Sequence, residues 1–458
     1  MRIIVFGTGT YYKRFKKYID NEEIIFLVDN DNTKIGSCID GIPICNPSQI
    51  ERSTYDYVLI LVKNYEPISK ELVSKGIPKK KIITYNDVGE IFGIVPRVTI
   101  AESKDEEWSK WIQEDEKRTI VLFTDNFSRT GVPVATLNLA KLLKKMGYRP
   151  LCIAMSEGSL QTDIAEAKIP YICNFTIWSN GKTYLQKLER VHAIFVVSIV
   201  LSKLVLQLES LGRPIFWWMH ESLPSVYEDV LLPNNKMQNI CYLFGGRRVA
   251  SSFFSKFGSL KADELNYFLP EIDICRAKKF GEKIKIAVIG AVCERKGQDI
   301  CATAIRELRN SFAFRFEMEY VGYFHSKEFA EKVKEINPSG KMLGELSQAE
   351  LEEYYRELDI LVCPSRDDPM PIVVTQAMQN SVACIVSDQV GQSEYINNGY
   401  NGYVFRNEDI EELVEIIKEL LICPQKIRTV GENGRAIYQQ YFSEARMKNK
   451  LIELLERV

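Results

Sequence analysis

Short runs of apolar residues recur along the chain, each ending in a glycine-containing or acidic turn. Most are followed by a longer stretch whose apolar positions fall at helical spacing. Arg2 to Phe6 leads into Gly7-Thr8-Gly9-Thr10, Ile24 to Val28 ends in Asp29-Asn30-Asp31, and Tyr57 to Val62 follows. The rhythm resumes at Thr119 to Thr124, and Gly131-Val132-Pro133 then opens a stretch with Val134, Leu137, Leu139, Leu142 and Leu143 on one helical face up to Met146-Gly147. Further apolar runs lie at Pro150 to Ala154, Ala193 to Val197, Ile215 to Met219, Ile284 to Ile289, Phe316 to Val321 and Ile360 to Cys363. Unbroken apolar runs, in place of alternation, are what strands of a parallel sheet covered on both faces require. The pattern predicts an α/β chain of three Rossmann-like domains.

The last of these runs precedes the most informative stretch, Pro364-Ser365-Arg366-Asp367-Asp368-Pro369-Met370-Pro371, after which Ile372 to Met378 read as a proline-started helix. The loop between them holds unpaired helix amides at the carboxyl end of a strand, where phosphates and other anions bind. Asp368 and Gln376 bracket it, eight residues apart. A second anion-binding candidate is Gly290-Ala291-Val292-Cys293-Glu294-Arg295-Lys296-Gly297, in which two adjacent cations precede a helix. Two cations there suit a diphosphate, whose charge must be neutralised both when bound and when leaving. His220 follows the aromatic run Phe216-Trp217-Trp218-Met219 directly, where a strand leaves its sheet. That position favours a role in a cleft over a purely structural one.

Composition narrows the classes. A chain of 458 residues has room for about three domains. Its 59 basic and 61 acidic residues nearly cancel, which argues against nucleic acid as a partner. No signal-peptide core and no run of about 18 uncharged apolar residues occurs. Eleven cysteines without a Cys-x-x-Cys pair, and only three histidines, fit a cytoplasmic chain with reduced thiols and no metal site. A nicotinamide cofactor is disfavoured, because the third glycine of the dinucleotide fingerprint would fall at Tyr12. The charged stretch from Thr99 to Lys117 reads as a solvated linker or helix.

The loop around Asp368 resembles the donor-binding signature of GT-B fold glycosyltransferases of the family 4 type, where a Glu-Pro-Phe-Gly-like turn is followed by a second Glu eight residues on. The resemblance covers residues 118–458. It implies that Asp368 contacts the hydroxyls of the donor sugar, that Gln376 takes the place of the acid gripping the nucleotide ribose, and that Met370, Pro371 and Ile372 lie against the donor. Both acids are altered here, and an amide loses the two-oxygen grip on a vicinal diol. By the same resemblance Lys296 and Arg295 hold the diphosphate, Gly131 belongs to the loop over phosphates and acceptor, and His220 contacts the transferred sugar or acceptor.

The implied activity is retaining transfer of a sugar from a nucleotide-diphosphate sugar, uridine-linked, to a glycan or lipid-linked acceptor in cell-surface polysaccharide or glycoconjugate synthesis. No metal is implied, since cations and helix amides replace it. The location implied is the cytoplasm, with peripheral attachment at the inner membrane face or in a protein complex. A phosphorylase of the same fold and a catalytically silent, sugar-nucleotide-binding partner subunit are the alternatives. Phe26 to Asp31 with Gly36 and Gly41-Ile42-Pro43-Ile44 resemble the nucleotide-sugar-binding-like domain at the N-terminus of some bacterial sugar acyltransferases. Such a unit serves as a ligand site or as a docking and oligomerisation module. The expected division is an accessory domain at 1–92, an acidic linker at 93–117, the acceptor-side domain at 118–272 and the donor domain at 273–458, whose final helices cross back.

Overall fold

The computed structural model describes residues 1–94, 97–100, 103–107, 112, 118–174, 186–228, 230–233, 239–272, 281, 283–312 and 314–457. Three sheets carry the chain. The first contains β1 (Arg2–Phe6), β2 (Glu23–Val28), β3 (Cys38–Ile39), β4 (Ile42–Cys45), β5 (Tyr57–Ile60) and β6 (Ile82–Thr84), in the order β3-β4-β2-β1-β5-β6. Its pairings are parallel except for the short β3–β4 hairpin.

The second sheet contains β7 (Arg97–Ile100), β8 (Ser103–Glu107), β9 (Thr119–Asn126), β10 (Arg149–Ser156), β11 (Tyr171–Cys173), β12 (Ala193–Val197), β13 (Ile215–Met219), β14 (Ile240–Phe244) and β15 (Ala262–Glu264). Its order is β15-β14-β13-β12-β9-β10-β11-β7-β8. The third contains β16 (Ile284–Ile289), β17 (Phe316–Val321), β18 (Lys341–Gly344), β19 (Ile360–Cys363), β20 (Ala383–Ser387) and β21 (Tyr403–Phe405), in the order β18-β17-β16-β19-β20-β21, all parallel.

Burial explains the unbroken apolar runs. Every residue of β12, β13, β19 and β20 is buried, because helices cover both sheet faces. Along β13 the side chains alternate between two cores: Phe216 and Trp218 pack on one side, Ile215, Trp217 and Met219 on the other. The first of those cores also takes in Leu139 and Leu142 of the helix Gly131–Lys145 and Met447, Leu451 and Leu454 of the last helix, Glu444–Glu456. The chain end therefore returns to the second sheet. Lys450 and Arg457 reach Asp263 at 3.0 and 2.8 Å, and Lys145 reaches Glu444 at 2.7 Å.

One expectation needs correcting. The stretch 93–117 is not a linker throughout, since β7 and β8 form an antiparallel hairpin that extends the second sheet through a Tyr171–Thr99 pairing. Charge hid it: an edge strand takes charged residues because they discourage pairing with a second chain, and the same residues read as solvated linker in sequence. The remainder of 93–117 lies largely outside the described residues.

The first unit meets the second through a Lys17–Glu157 ion pair at 3.0 Å and through Met155, which borders the cores of both. A chain beginning at Arg97 keeps the whole second sheet and is expected to be soluble, with its native circular-dichroism melt. One beginning at Lys117 bares the β11 edge and is expected to melt earlier and aggregate. Equal behaviour of the two truncations would show the hairpin to be dispensable.

Candidate functional site

In the third sheet the chain runs outward from β16 to β18, then crosses back to β19, so the strand order reverses between β16 and β19. Ligands of open α/β sheets bind in the crevice at that point, beyond the strand carboxyl ends. The two loops leaving these strands carry the candidates from sequence. They touch: a Cβ at Gly297, whose φ is +69°, would lie 2.0 Å from the Pro364 carbonyl oxygen. A short helical turn, Glu294–Lys296, then brings both cations to the facing loop. Lys296 Nζ bonds the Asp368 carboxylate. Arg295 Nη1 is 3.9 Å from the same oxygen and donates to the Asp367 carbonyl at 2.7 Å. Asp368 is only 7% exposed, so its charge depends on these partners. Its backbone is tied on both sides, N–H to the Gln389 carbonyl at 3.1 Å and C=O to the Gly391 N–H at 3.0 Å.

Arg366, unassigned from sequence, rivets the two loops. It donates to Asp299 at 3.0 and 3.2 Å and to the Glu294 carbonyl at 2.6 Å, while its N–H reaches the Arg295 carbonyl at 2.8 Å. Burial alone would raise the Asp299 carboxyl, but bonds from Arg366 and Lys332 hold it below the usual range.

The helix behind the loop is Ile372–Gln379, with Pro371 as its N-cap residue. The Pro371 carbonyl accepts from Gln392 Nε2 at 2.8 Å, and Tyr267 Oη is in hydrogen-bond contact with that carbonyl at 3.2 Å and with Thr375 Oγ1 at 2.6 Å. Tyr267 comes from the segment leaving the second sheet, so this helix is anchored to the opposite half of the cleft. Ile372 is partly buried against the shared core. Gln376 is also half-buried, and its Oε1 accepts from Tyr355 Oη at 3.2 Å.

The facing wall belongs to the second sheet. His220 leaves β13 with its ring 4.4 Å from that of Trp218, and a Cβ at Gly245 would come within 2.8 Å of Nδ1. As a residue His220 is half-buried, but its Nε2 is fully buried and has no hydrogen-bond partner among the described residues. Burial pushes the imidazole down to about 3, so it is neutral at physiological pH.

The sign of the linkage follows from that. The unfolded imidazole, near 6.5, takes up a proton that the folded one refuses, so stability is full above pH 6.5 and falls as pH drops toward 3. Between pH 6.5 and about pH 5 the term amounts to about 2 kcal/mol. Urea melts across that window should show a shallower pH slope for His220→Gln than for wild type, and parallel slopes would contradict the buried neutral ring.

Further contacts among the described residues cross the cleft. A Cβ at Gly246 would lie 2.6 Å from Met370 Cε. Arg248, on the helix Arg247–Phe257, reaches Asp367 Oδ1 at 2.7 Å and Gln389 Oε1 at 2.9 Å. Sequence reading gives Arg248 no role in the site, although Gly245-Gly246-Arg247-Arg248 after an apolar run is the signal. Gly131 starts its helix as expected, but it is exposed and has open space beside its Cα. The structure thus groups Arg295, Lys296, Asp368 and Met370 with Arg248, places Pro371, Ile372 and Gln376 behind them, and leaves Gly131 outside the cluster.

In the first unit, Gly7 (φ +107°) packs against Leu61 and Val62 beside a cavity of about 380 Å³. Asp29 there is occupied by Thr8 Oγ1, by the Asp31 N–H at 3.0 Å and by Lys34 Nζ at 2.9 Å. Tyr12, at the third-glycine position, is buried.

Residues 272–437 match the family described as glycosyl transferases group 1, and residues 1–83 match that described as C2185-like, N-terminal. Among curated proteins, the Staphylococcus aureus protein CapJ is 28% identical over 162 residues, which are 34% of this chain and 40% of CapJ. An uncharacterized glycosyltransferase of Methanocaldococcus jannaschii is 29% identical over 153 residues, 33% of this chain and 42% of its own. The chain thus spans about two fifths of the length of these relatives. Among solved structures, Anabaena HepE in complex with UDP and glucose has a TM-score of 0.62 at 15% identity over 74% of this chain and 99% of its own. The fold is that of the GT-B glycosyltransferases with their two Rossmann-like domains. No helix among the described residues is long and apolar enough to cross a membrane.

Proposed function

We propose that the chain is a retaining glycosyltransferase of the family 4 type, moving a sugar from a UDP-linked donor to a glycan or lipid-linked acceptor of a cell-surface polysaccharide or glycoconjugate. The observation that carries this reading is the convergence of Lys296 and Arg295 on the buried Asp368 at the third sheet's switch point, inside the region matching group 1 transferases. HepE, a relative in fold, is known in complexes with UDP and with UDP-glucose. Without donor, the Lys296 charge rests on Asp368. A donor diphosphate competes for that charge, and Asp368 is then released to accept from a sugar hydroxyl. During transfer negative charge grows on the departing diphosphate, and Lys296 and Arg295 are placed to neutralise it. A same-face attack assisted by the leaving phosphate needs no enzyme nucleophile. His220, neutral and partly exposed at the carboxyl end of β13, is proposed to pack against sugar or acceptor, since its Nε2 is buried.

The test is a thermal-shift panel of UDP and UDP-sugars followed by turnover of those that bind. A ligand at a hundred times its dissociation constant adds about 2.7 kcal/mol of stability. No stabilisation by any uridine nucleotide would end the reading. A second reading, a silent partner subunit that binds sugar nucleotide, is favoured by Gln376, which stands where the resembling family has an acid and whose Oε1 is already engaged by Tyr355. Binding without turnover until a partner is added would select it.

A further inference from the structure

Ser198, the first residue after β12, has φ +123° and ψ +144° and is 1% exposed. That backbone region is almost reserved for glycine, and a serine stays there only if its surroundings fix it. They do. Its N–H donates to the Trp218 carbonyl at 2.9 Å, its carbonyl accepts from Trp217 Nε1 at 3.0 Å, and its Oγ accepts from the Val200 N–H at 3.2 Å and donates to Glu221. Glu221 collects more: its Oε2 accepts from the Ile199 N–H at 3.0 Å and the His220 N–H at 3.1 Å. Its own carbonyl accepts from Tyr227 Oη at 2.6 Å.

The place is as telling as the contacts. In the second sheet the chain runs from β9 out to β11, then returns to β12 on the other side of β9, so β9 and β12 frame a second reversal of strand order. Ser198 stands at the carboxyl end of β12 and His220 at that of β13. Glycine would relieve the backbone here, but it would delete the hydroxyl, whose one donated bond goes to Glu221.

We propose that Glu221 is a positioning residue for the acceptor-side wall: its carboxylate ties the strained Ser198–Leu201 turn and the backbone of His220 into one piece, fixing where the imidazole stands. The inference rests on the transfer reading above for what His220 meets, and on geometry alone for how it is held.

Glu221→Gln tests it with UDP-glucose as donor and UDP as ligand. UDP affinity, set on the third sheet, should stay within about twofold, while turnover at saturating donor should fall by roughly tenfold or more. Loss of UDP affinity in step with turnover, or wild-type turnover, would overturn the proposal. Ser198→Ala keeps the strain and loses the bond, whereas Ser198→Gly loses both. The alanine variant should therefore melt below the glycine variant, and equal melting would remove the strained anchor. Should wild-type protein turn over no nucleotide sugar, the transfer reading fails separately. Positioning is then read from the His220 ring resonances, which should move in Glu221→Gln and whose constancy would refute it.

Discussion

Lys296→Ala is expected to lower turnover at saturating donor by about 10²- to 10³-fold, the range seen when a single preorganised donor to developing charge is removed. Arg295→Ala should cost distinctly less. Lys296 is the more buried of the two, with its side chain 17% exposed against 45%, and it makes the direct bond to Asp368, while Arg295 stands at 3.9 Å. A cation in a water-poor crevice acts on the departing diphosphate with less screening than one at the rim. The alanine variant also strands Asp368 beside a single distant arginine. Loss of a buried charged partner predicts a fall in stability of about 1–3 kcal/mol, readable in a melt and separable from turnover at low temperature. Steady-state kinetics of both variants with a bound UDP-sugar decide the point, and equal, near-wild-type rates would remove the pair from the donor site.

What the sequence made legible is what local pattern encodes. Runs such as Ile194-Phe195-Val196-Val197 and Ile360-Leu361-Val362 announce buried parallel strands because both faces must be apolar. The Gly290 to Gly297 and Pro364 to Pro371 loops are recognisable because turn residues and charges must stand at fixed places beyond a strand. What it hid are relations between residues far apart. Arg248 and Asp367 lie 119 positions apart, and Arg366 and Asp299 lie 67 apart. No periodicity links them. The hairpin at 97–107 was misread because charges that protect a sheet edge look the same as charges that solvate a linker. The conformation of Ser198 could not be foreseen either, since serine gives no sign of the left-handed backbone that its neighbours impose.

Gly297→Ala is expected to be among the most disruptive single-methyl changes in the half built on the third sheet, and its cost can be divided into two parts. One part is conformational. At φ +69° and ψ +24° an L-residue with a Cβ is disfavoured by roughly 1–2 kcal/mol. The other part is steric: the new methyl would meet the Pro364 carbonyl oxygen at 2.0 Å and its carbon at 2.9 Å, and backbone cannot swing aside as a side-chain tip can. Pro364 is held in turn by its successors, since the Ser365 carbonyl accepts from Ser387 Oγ at 2.6 Å and the Arg366 N–H is bonded to the Arg295 carbonyl at 2.8 Å. The strain is therefore relieved only by parting the two loops, which draws Lys296 away from Asp368. A shift of about 1 Å in a reacting constellation can cost about 10²-fold in rate, so turnover should fall along with stability. Gly344→Ala is the control. Its φ is +74°, but nothing lies within 4 Å of the added methyl, so it should show the conformational part alone. Urea melts should place Gly297→Ala about 2 kcal/mol or more below Gly344→Ala, in the range of overpacked sites. If the two variants unfold at the same urea concentration with unchanged turnover, the contact between the loops is not what sets the spacing of Lys296 and Asp368.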